Sequence, residues 1–309
     1  MNIVIYGTGG VGGYFGARLA QAGNNVTFIA RGKHLEAIQQ KGLQLNSIKG
    51  DYLVQPAKAT SIISEIKNID LILVCVKTWQ LAEETEKIKS VLDDTTMVIS
   101  LLNGIANEDV LCNILPKKHV LGGLCKVVSK VEDYGVINHI SYEPTIVFGE
   151  LNNKKTERAI LLSQTFLDAG ITTKLASDIQ KEIWTKFLFI TTISAIGALT
   201  RATIGEMMIS SEIKKMMRKT AEEIFEISKA KCINLPENII EKQFKLIENH
   251  PFNTTSSLQR DMMGGNPSEL EAQNGAIVKM GKELGISTPV NSFIYNCLLP
   301  QERKARRLG

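Results

Sequence analysis

Short runs of β-branched and aliphatic residues punctuate the first half of the chain, at positions 3–6, 26–29, 71–76, 97–101, 120–124 and 145–148, with helical patterns among them. Apolar runs of this length predict strands buried on both faces, and their alternation with helices predicts a mostly parallel sheet covered by helices. Turn-forming triplets at Lys49-Gly50-Asp51 and Asp133-Tyr134-Gly135 predict a few antiparallel strands attached to it. Residues 171–175 read as the last strand. From Asp178 onward the periodicity is almost wholly helical. Asp178 is placed to cap a long helix through about residue 199, with Glu182 near its first turn, and further helices are predicted over 212–231, 236–249 and 269–284. The expected fold class is α/β, with a doubly wound sheet domain over 1–176 and an all-α domain over 177–309.

Length and composition sharpen this picture. A chain of 309 residues exceeds the size at which single cores stop growing, so two domains are expected. Hydrophobic residues at 44% and charged residues at 22% are ordinary for a globular protein. A net charge of +4 with 6% aromatic residues offers neither a basic stripe nor stacking platforms for nucleic acid. The basic run Arg303-Lys304-Ala305-Arg306-Arg307 reads as a solvated tail. Cys75, Cys112, Cys125, Cys232 and Cys297 have no paired spacing, and the four histidines show no ligand spacing. Reduced thiols in a cytoplasm, and no metal, are expected. The N-terminus enters a strand pattern at once, without a leader-like run. The apolar stretch 187–199, interrupted by Thr191, Thr192, Ser194 and Gly197, reads as a buried helix too short to span a bilayer, and no membrane partner is expected.

The first strand runs into Gly7-Thr8-Gly9-Gly10-Val11-Gly12 and then a helical pattern ending at Gly23. This is the G-x-G-x-x-G spacing in its strand-turn-helix setting, which makes the sheet domain a Rossmann-type one. Gly7 permits the tight turn, Gly9 lets backbone approach a pyrophosphate, and Gly12 lets the helix pack closely on the strand. The helix start offers unpaired N–H groups to phosphate. Where an NAD enzyme carries an acid at the end of the second strand, this chain has Ile29-Ala30-Arg31. The planar fork of Arg31 suits a 2′-phosphate and Lys33 adds charge nearby, so NADP(H) is the expected cofactor, with a merely solvated arginine as the alternative.

Several separated segments resemble the ketopantoate reductase family (2-dehydropantoate 2-reductases) in order and over essentially the whole length. They are the glycine loop with Arg31, Leu73-Val74-Cys75-Val76-Lys77-Thr78-Trp79-Gln80, Leu102-Asn103-Gly104, Glu182-Ile183-Trp184-Thr185-Lys186-Phe187, and Ser256-Ser257 followed by Glu269. The resemblance implies NADPH-dependent reduction of 2-dehydropantoate to pantoate, on the route to pantothenate and coenzyme A, with a small keto acid as partner. It implies that Lys186 is the catalytic lysine and Glu269 the carboxylate that holds the substrate hydroxyl. Asn103 and Lys77 are implied at the cofactor, Asn103 also at the substrate, and Ser257 at the substrate carboxylate. Read without the resemblance, Lys186 and Glu269 are also compatible with charges on an amphipathic helix, Asn103-Gly104 with a turn, Lys77 with a solvated strand end, and Ser257 with an N-cap.

Hydride delivery to a ketone develops negative charge on oxygen, so the site needs a proton donor and positive potential. One departure bears on the substrate. Four and eight positions after Lys186, on the same helical face, many family members carry asparagine where this chain has Ile190 and Ser194, and Thr254 also stands where asparagine is common. Ser194 is then a candidate substrate contact and Arg201 a candidate compensating clamp, a solvated helix end being the alternative for Arg201. A related keto acid reductase with another substrate, and a non-catalytic NADPH-binding regulator, are the competing readings. A monomer or homodimer is expected.

Overall fold

The computed structural model describes residues 1–307. Ten strands build one sheet: β1 (Asn2–Tyr6), β2 (Asn25–Ile29), β3 (Leu43–Ser47), β4 (Tyr52–Val54), β5 (Lys58–Thr60), β6 (Leu71–Val74), β7 (Met97–Ser100), β8 (Val120–Asp133), β9 (Val136–Glu150) and β10 (Thr172–Leu175). The order across the sheet is β4-β3-β9-β8-β7-β6-β1-β2-β5, with β10 also on β9. The central ladder from β5 to β8 is parallel, with Ile3 opposite Val26 on one side and Leu71 on the other. Apart from the edge strand β5, its strands were legible because both faces are covered. Ile3, Ile5, Leu71, Leu73 and Ile99 enter one core, while Val4, Tyr6, Ile72, Val74 and Val98 enter the other. The alternation is the two-residue period of the pleat.

The antiparallel pieces fall where the turn triplets predicted them. β3 pairs with β4 around residues 48–51, and β8 pairs with β9 around Tyr134-Gly135. The β8–β9 hairpin is much longer than the apolar runs 120–124 and 145–148 suggested. Its outer half mixes exposed and polar positions with the buried Ile137 and carries register shifts between Lys126 and Asp133, so it does not read as one apolar run.

On this sheet unit lie α1 (Gly10–Gln21), α2 (Gly32–Lys41), α3 (Leu81–Lys89), α4 (Asn107–Ile114) and α5 (Glu157–Asp168). Beyond it come α6 (Ile179–Thr200), α7 (Ile204–Ile209), α8 (Ser211–Ala230), α9 (Ile239–Glu248), α10 (Ser257–Met263), α11 (Ala276–Leu284) and α12 (Pro289–Ala305). The chain divides into two compact units, Met1–Leu102 with Asn107–Ile179, and Asn103–Ala106 with Gln180–Gly309. Residues 103–106, expected with the sheet, therefore group with the helices.

α6 spans the long helix expected from Asp178 to about residue 199, and the apolar stretch 187–199 is only part of it. By length and composition it is sufficient to cross a membrane, and 67% of its most apolar stretch lies buried within the fold. Burial, rather than shortness, marks it as a core helix. In the helical unit, α8 buries Met217, Ala221, Ile224 and Ile227, the spacing of one apolar stripe. Glu223 on that stripe accepts the backbone N–H groups of Val290 and Asn291 at 2.8 and 2.9 Å, satisfying donors that the first turn of α12 leaves open.

Two expectations fail here. The predicted helix 269–284 begins two residues late, and its first turn, Glu271–Gly275, is π-helical and runs directly into α11. The basic run at 303–307 is not a free tail, because α12 continues to Ala305 and the half-covered Arg306 donates to the buried Glu302 and to the Ser268 carbonyl at 2.7 Å. A periodicity argument sees only charge there, whereas the fold supplies the anion.

Candidate active site

In the sheet unit the glycine loop follows β1 directly. Gly7 has φ +107°, and a Cβ there would meet the backbone of Cys75 and Val76 at 2.9 Å. A Cβ on Gly12 would run into the Gly7 carbonyl and lie 2.8 Å from Ile5, so the helix packs on the strand only with glycine. A Cβ on Gly9 would meet nothing within 4 Å, which leaves open room over that residue. Gly9 caps α1 without a side-chain hydrogen bond, and no acidic residue occupies the first turn. The N–H groups of Gly10, Val11 and Gly12 thus begin a helix with no anion of the protein's own in that turn. These features fit a dinucleotide pyrophosphate.

The loop is held from behind by the β8–β9 hairpin. A Cβ on Gly10 would strike the backbone of Ser129, and one on Gly13 would strike Ile137. His34 adds a bridge. Its Nδ1 accepts from the Gly135 N–H at 3.0 Å, which leaves the proton on Nε2 to donate to the Thr8 carbonyl at 2.8 Å. Burial lowers the His34 pKa against the opposing pull of the Thr8 carbonyl, in keeping with this neutral form. Thr8 is further fixed by its hydroxyl, which donates to the Ile29 carbonyl at 2.9 Å.

Arg31 lies at the end of β2 as predicted, but it is ion-paired. Its Nη2 donates to Oε1 of Glu84 at 2.6 Å. Tyr6, the last residue of β1, donates its hydroxyl to Oε2 of the same carboxylate at 2.5 Å, and Lys87 reaches Oε1 at 3.1 Å. Burial pushes the Glu84 carboxyl up, yet the bonds from Tyr6, Arg31 and Lys87 outweigh it and hold the carboxyl below its ordinary value. Sequence reasoning missed Tyr6 and Glu84. The one signal was a polar-tipped residue closing an otherwise aliphatic strand. Lys33 does not join this group; its ammonium lies over the Tyr134 ring. Lys77 follows β6 in an exposed turn, its ammonium 5.7 Å from the centre of the Trp79 ring and its N–H bonded to Gln80 Oε1.

In the helical unit Asn103 and Glu269, 166 positions apart, are brought together, with Asn103 Nδ2 donating to Glu269 Oε2 at 2.8 Å. Gly104, at φ +112°, turns the chain beside Asn103 as only glycine does readily. Lys186 is half-buried on α6 beside the fully buried Trp184 and Phe187, whose rings pack edge to face at 5.9 Å. One and two helical turns on, Ile190 is half-buried, while the Ser194 hydroxyl is wholly buried and has no hydrogen-bond partner among the described residues, as is also true of Thr191. The N-cap of α10 is Ser256, whose hydroxyl accepts from the Gln259 N–H at 3.1 Å; Ser257 is the first helical residue and is not the cap. Arg201, with φ +58°, lines a cavity of about 110 Å³ with Ala198, Met263 and Gln301. None of Lys186, Asn103 or Glu269 lines that cavity, so the structure does not associate Arg201 with them.

A family model described as ketopantoate reductase PanE/ApbA matches residues 3–153, and its C-terminal counterpart matches residues 178–302. The chain belongs to the ketopantoate reductase family. Members of this family are oxidoreductases. Among relatives, a 2-dehydropantoate 2-reductase of Archaeoglobus fulgidus is 31% identical over 96% of both chains. A protein of Bacillus subtilis called uncharacterized oxidoreductase YkpB is 30% identical over 96% of this chain and 97% of its own. A PanE/ApbA family ketopantoate reductase of Ralstonia eutropha JMP134 superposes with a TM-score of 0.91 at 29% identity, covering 99% and 100% of the two chains. D-Mandelate dehydrogenase, solved with NADH and anilino(oxo)acetate, shares the fold with a TM-score of 0.90 at 24% identity, over 99% of this chain and 100% of its own. The ketopantoate reductase resemblance and the α/β plan with a helical C-terminal region, both expected from the sequence, hold.

Proposed function

We propose that this oxidoreductase reduces 2-dehydropantoate to pantoate with NADPH in the cytoplasm, as a step toward pantothenate and coenzyme A. The observation that carries the reading is the Asn103–Glu269 hydrogen bond, which joins two separate motifs of the family pattern into one polar group. In this reading the loop Gly7, Thr8, Gly9, Gly10, Val11 and Gly12 holds the pyrophosphate through backbone N–H groups, Arg31 takes the 2′-phosphate, and Lys77 and Asn103 complete the cofactor contacts. Bound there, NADPH supplies the hydride.

The remaining work falls to the chain's own side chains. Lys186 places an ammonium where the ketone oxygen gains charge and gives it a proton. Glu269, oriented by the Asn103 amide, accepts the substrate hydroxyl. Ser257 and Ser194 offer hydroxyls to the substrate's polar groups, and the unpartnered, buried Ser194 Oγ is a group that gains from such a bond. Free thiols at all five cysteines suit a reducing compartment, and the expected assembly is a monomer or homodimer.

A second reading keeps the chemistry and changes the acid. Ile190 brings a half-buried aliphatic side chain to the face shared with Lys186, which favours a 2-keto acid with an apolar branch over one needing a further amide. The two readings separate in an assay that follows NADPH absorbance with purified protein. Oxidation by 2-dehydropantoate, faster than by other branched 2-keto acids and faster than with NADH, supports the first reading. Turnover of another acid alone moves the substrate to the second, and no turnover across the panel despite NADPH binding rejects both in favour of a binding protein.

A further inference from the structure

Arg31 is not a loose surface arginine. Its side chain is 60% exposed, while the carboxylate it meets, Glu84, is only 2% exposed. Glu84 is fixed from two other sides, by the Tyr6 hydroxyl at the end of β1 and by Lys87 one turn further along α3. Arg31 spends a single nitrogen on this contact, and Nε and Nη1 have no protein acceptor among the described residues. A ligand approaching the end of β2 therefore meets a guanidinium whose position is set from beneath and whose remaining donors face no competitor. Holding such a long side chain in place before binding removes part of the ordering cost that binding otherwise carries.

We propose that Glu84, supported by Tyr6, is the positioning residue for cofactor selection, anchoring Arg31 so that its open donors favour a dinucleotide bearing a 2′-phosphate over one bearing a 2′-hydroxyl. This rests on the NADPH reading above. The carboxylate acts through Arg31 and does not itself touch the cofactor. A buried carboxylate is otherwise costly at the end of two strands, and three donors converging on it is the arrangement that makes it tolerable. Helix α3 and strand β1 thus both contribute to a selectivity usually assigned to the end of the second strand alone.

The test measures the affinities of the full-length protein for NADPH and NADH by titration calorimetry. Glu84→Gln keeps the shape and an acceptor for Tyr6 but removes the charge facing Arg31. The expected result is a loss of about tenfold in NADPH affinity, the size of one charge-assisted hydrogen bond, with NADH affinity unchanged. Tyr6→Phe should shift the ratio in the same direction by less, and serves if Glu84→Gln does not fold. In an Arg31→Ala background Glu84→Gln should add nothing, since the anchor has lost what it holds. Equal losses for both cofactors, an effect that persists without Arg31, or a gain for NADPH would each overturn the role of Glu84, the last by showing that it competes with the phosphate. A wild-type protein without NADPH preference, or one whose preference survives Arg31→Ala, would overturn the 2′-phosphate reading and with it the proposal.

Discussion

Lys186 is half-buried on α6, in a run that also buries Trp184 and Phe187. If it protonates the ketone oxygen, Lys186→Ala should lower kcat by about 10²- to 10⁴-fold, with NADPH affinity unchanged in the same calorimetric titration. An unaltered kcat would remove the lysine from the chemistry. Lys186 and Arg31 were both legible from local context: a cation in an apolar run, and a cation where a strand ends. The pairings that the fold makes were not. Asn103-Gly104 has the composition of a turn, and nothing in the pattern of the chain links it to a glutamate 166 positions away. Glu84 looks like one charge among several on α3, and only the fold buries it beneath Arg31.

At the scale of elements, two glycines three positions apart in the same loop behave differently. Gly9 has room for a methyl group, whereas at Gly12 the same methyl meets the Gly7 carbonyl and Ile5. Gly9→Ala should fold with a melting temperature near wild type yet bind NADPH at least about tenfold more weakly, because the methyl occupies the approach to the pyrophosphate. Gly12→Ala should instead destabilise the fold by roughly 1–3 kcal/mol, the cost typical of overpacking, and lower the melting temperature accordingly. Thermal denaturation followed by circular dichroism, with and without NADPH, distinguishes the two. The same contrast explains which elements were readable. β6 and β7 are buried on both faces and appear as unbroken apolar runs. β3, β4 and β5 mix polar and apolar positions near the edges of the sheet, and the π-helical turn at Glu271–Gly275 leaves no mark in a 3.6-residue periodicity.

For the molecule as a whole, a pH dependence of stability follows from the buried carboxyl of Glu108 in the first turn of α4. Burial raises its carboxyl to about 7, against the weaker pull of its own N–H and that of Gly123, whose nitrogen lies 3.4 Å away. An unfolded glutamate titrates near 4.5. Because the folded value is the higher, the folded protein binds the proton more tightly. The associated stability is complete below pH 4.5 and is lost as pH rises through 7, a change of about 3 kcal/mol. Urea denaturation at pH 5 and pH 8 should show wild type losing stability over that interval and Glu108→Gln losing much less. Equal slopes for the two proteins would show that Glu108 does not hold the proton.

The hairpin behind the glycine loop carries a consequence for how the protein is made. The fingerprint occupies residues 7–12, but the surfaces that brace it, Ser129, Gly135 and Ile137, emerge from a ribosome more than a hundred residues later. A nascent chain that stops short of them carries the glycine motif without its scaffold. The braced form of the loop is therefore acquired only once the β8–β9 hairpin is outside the ribosome.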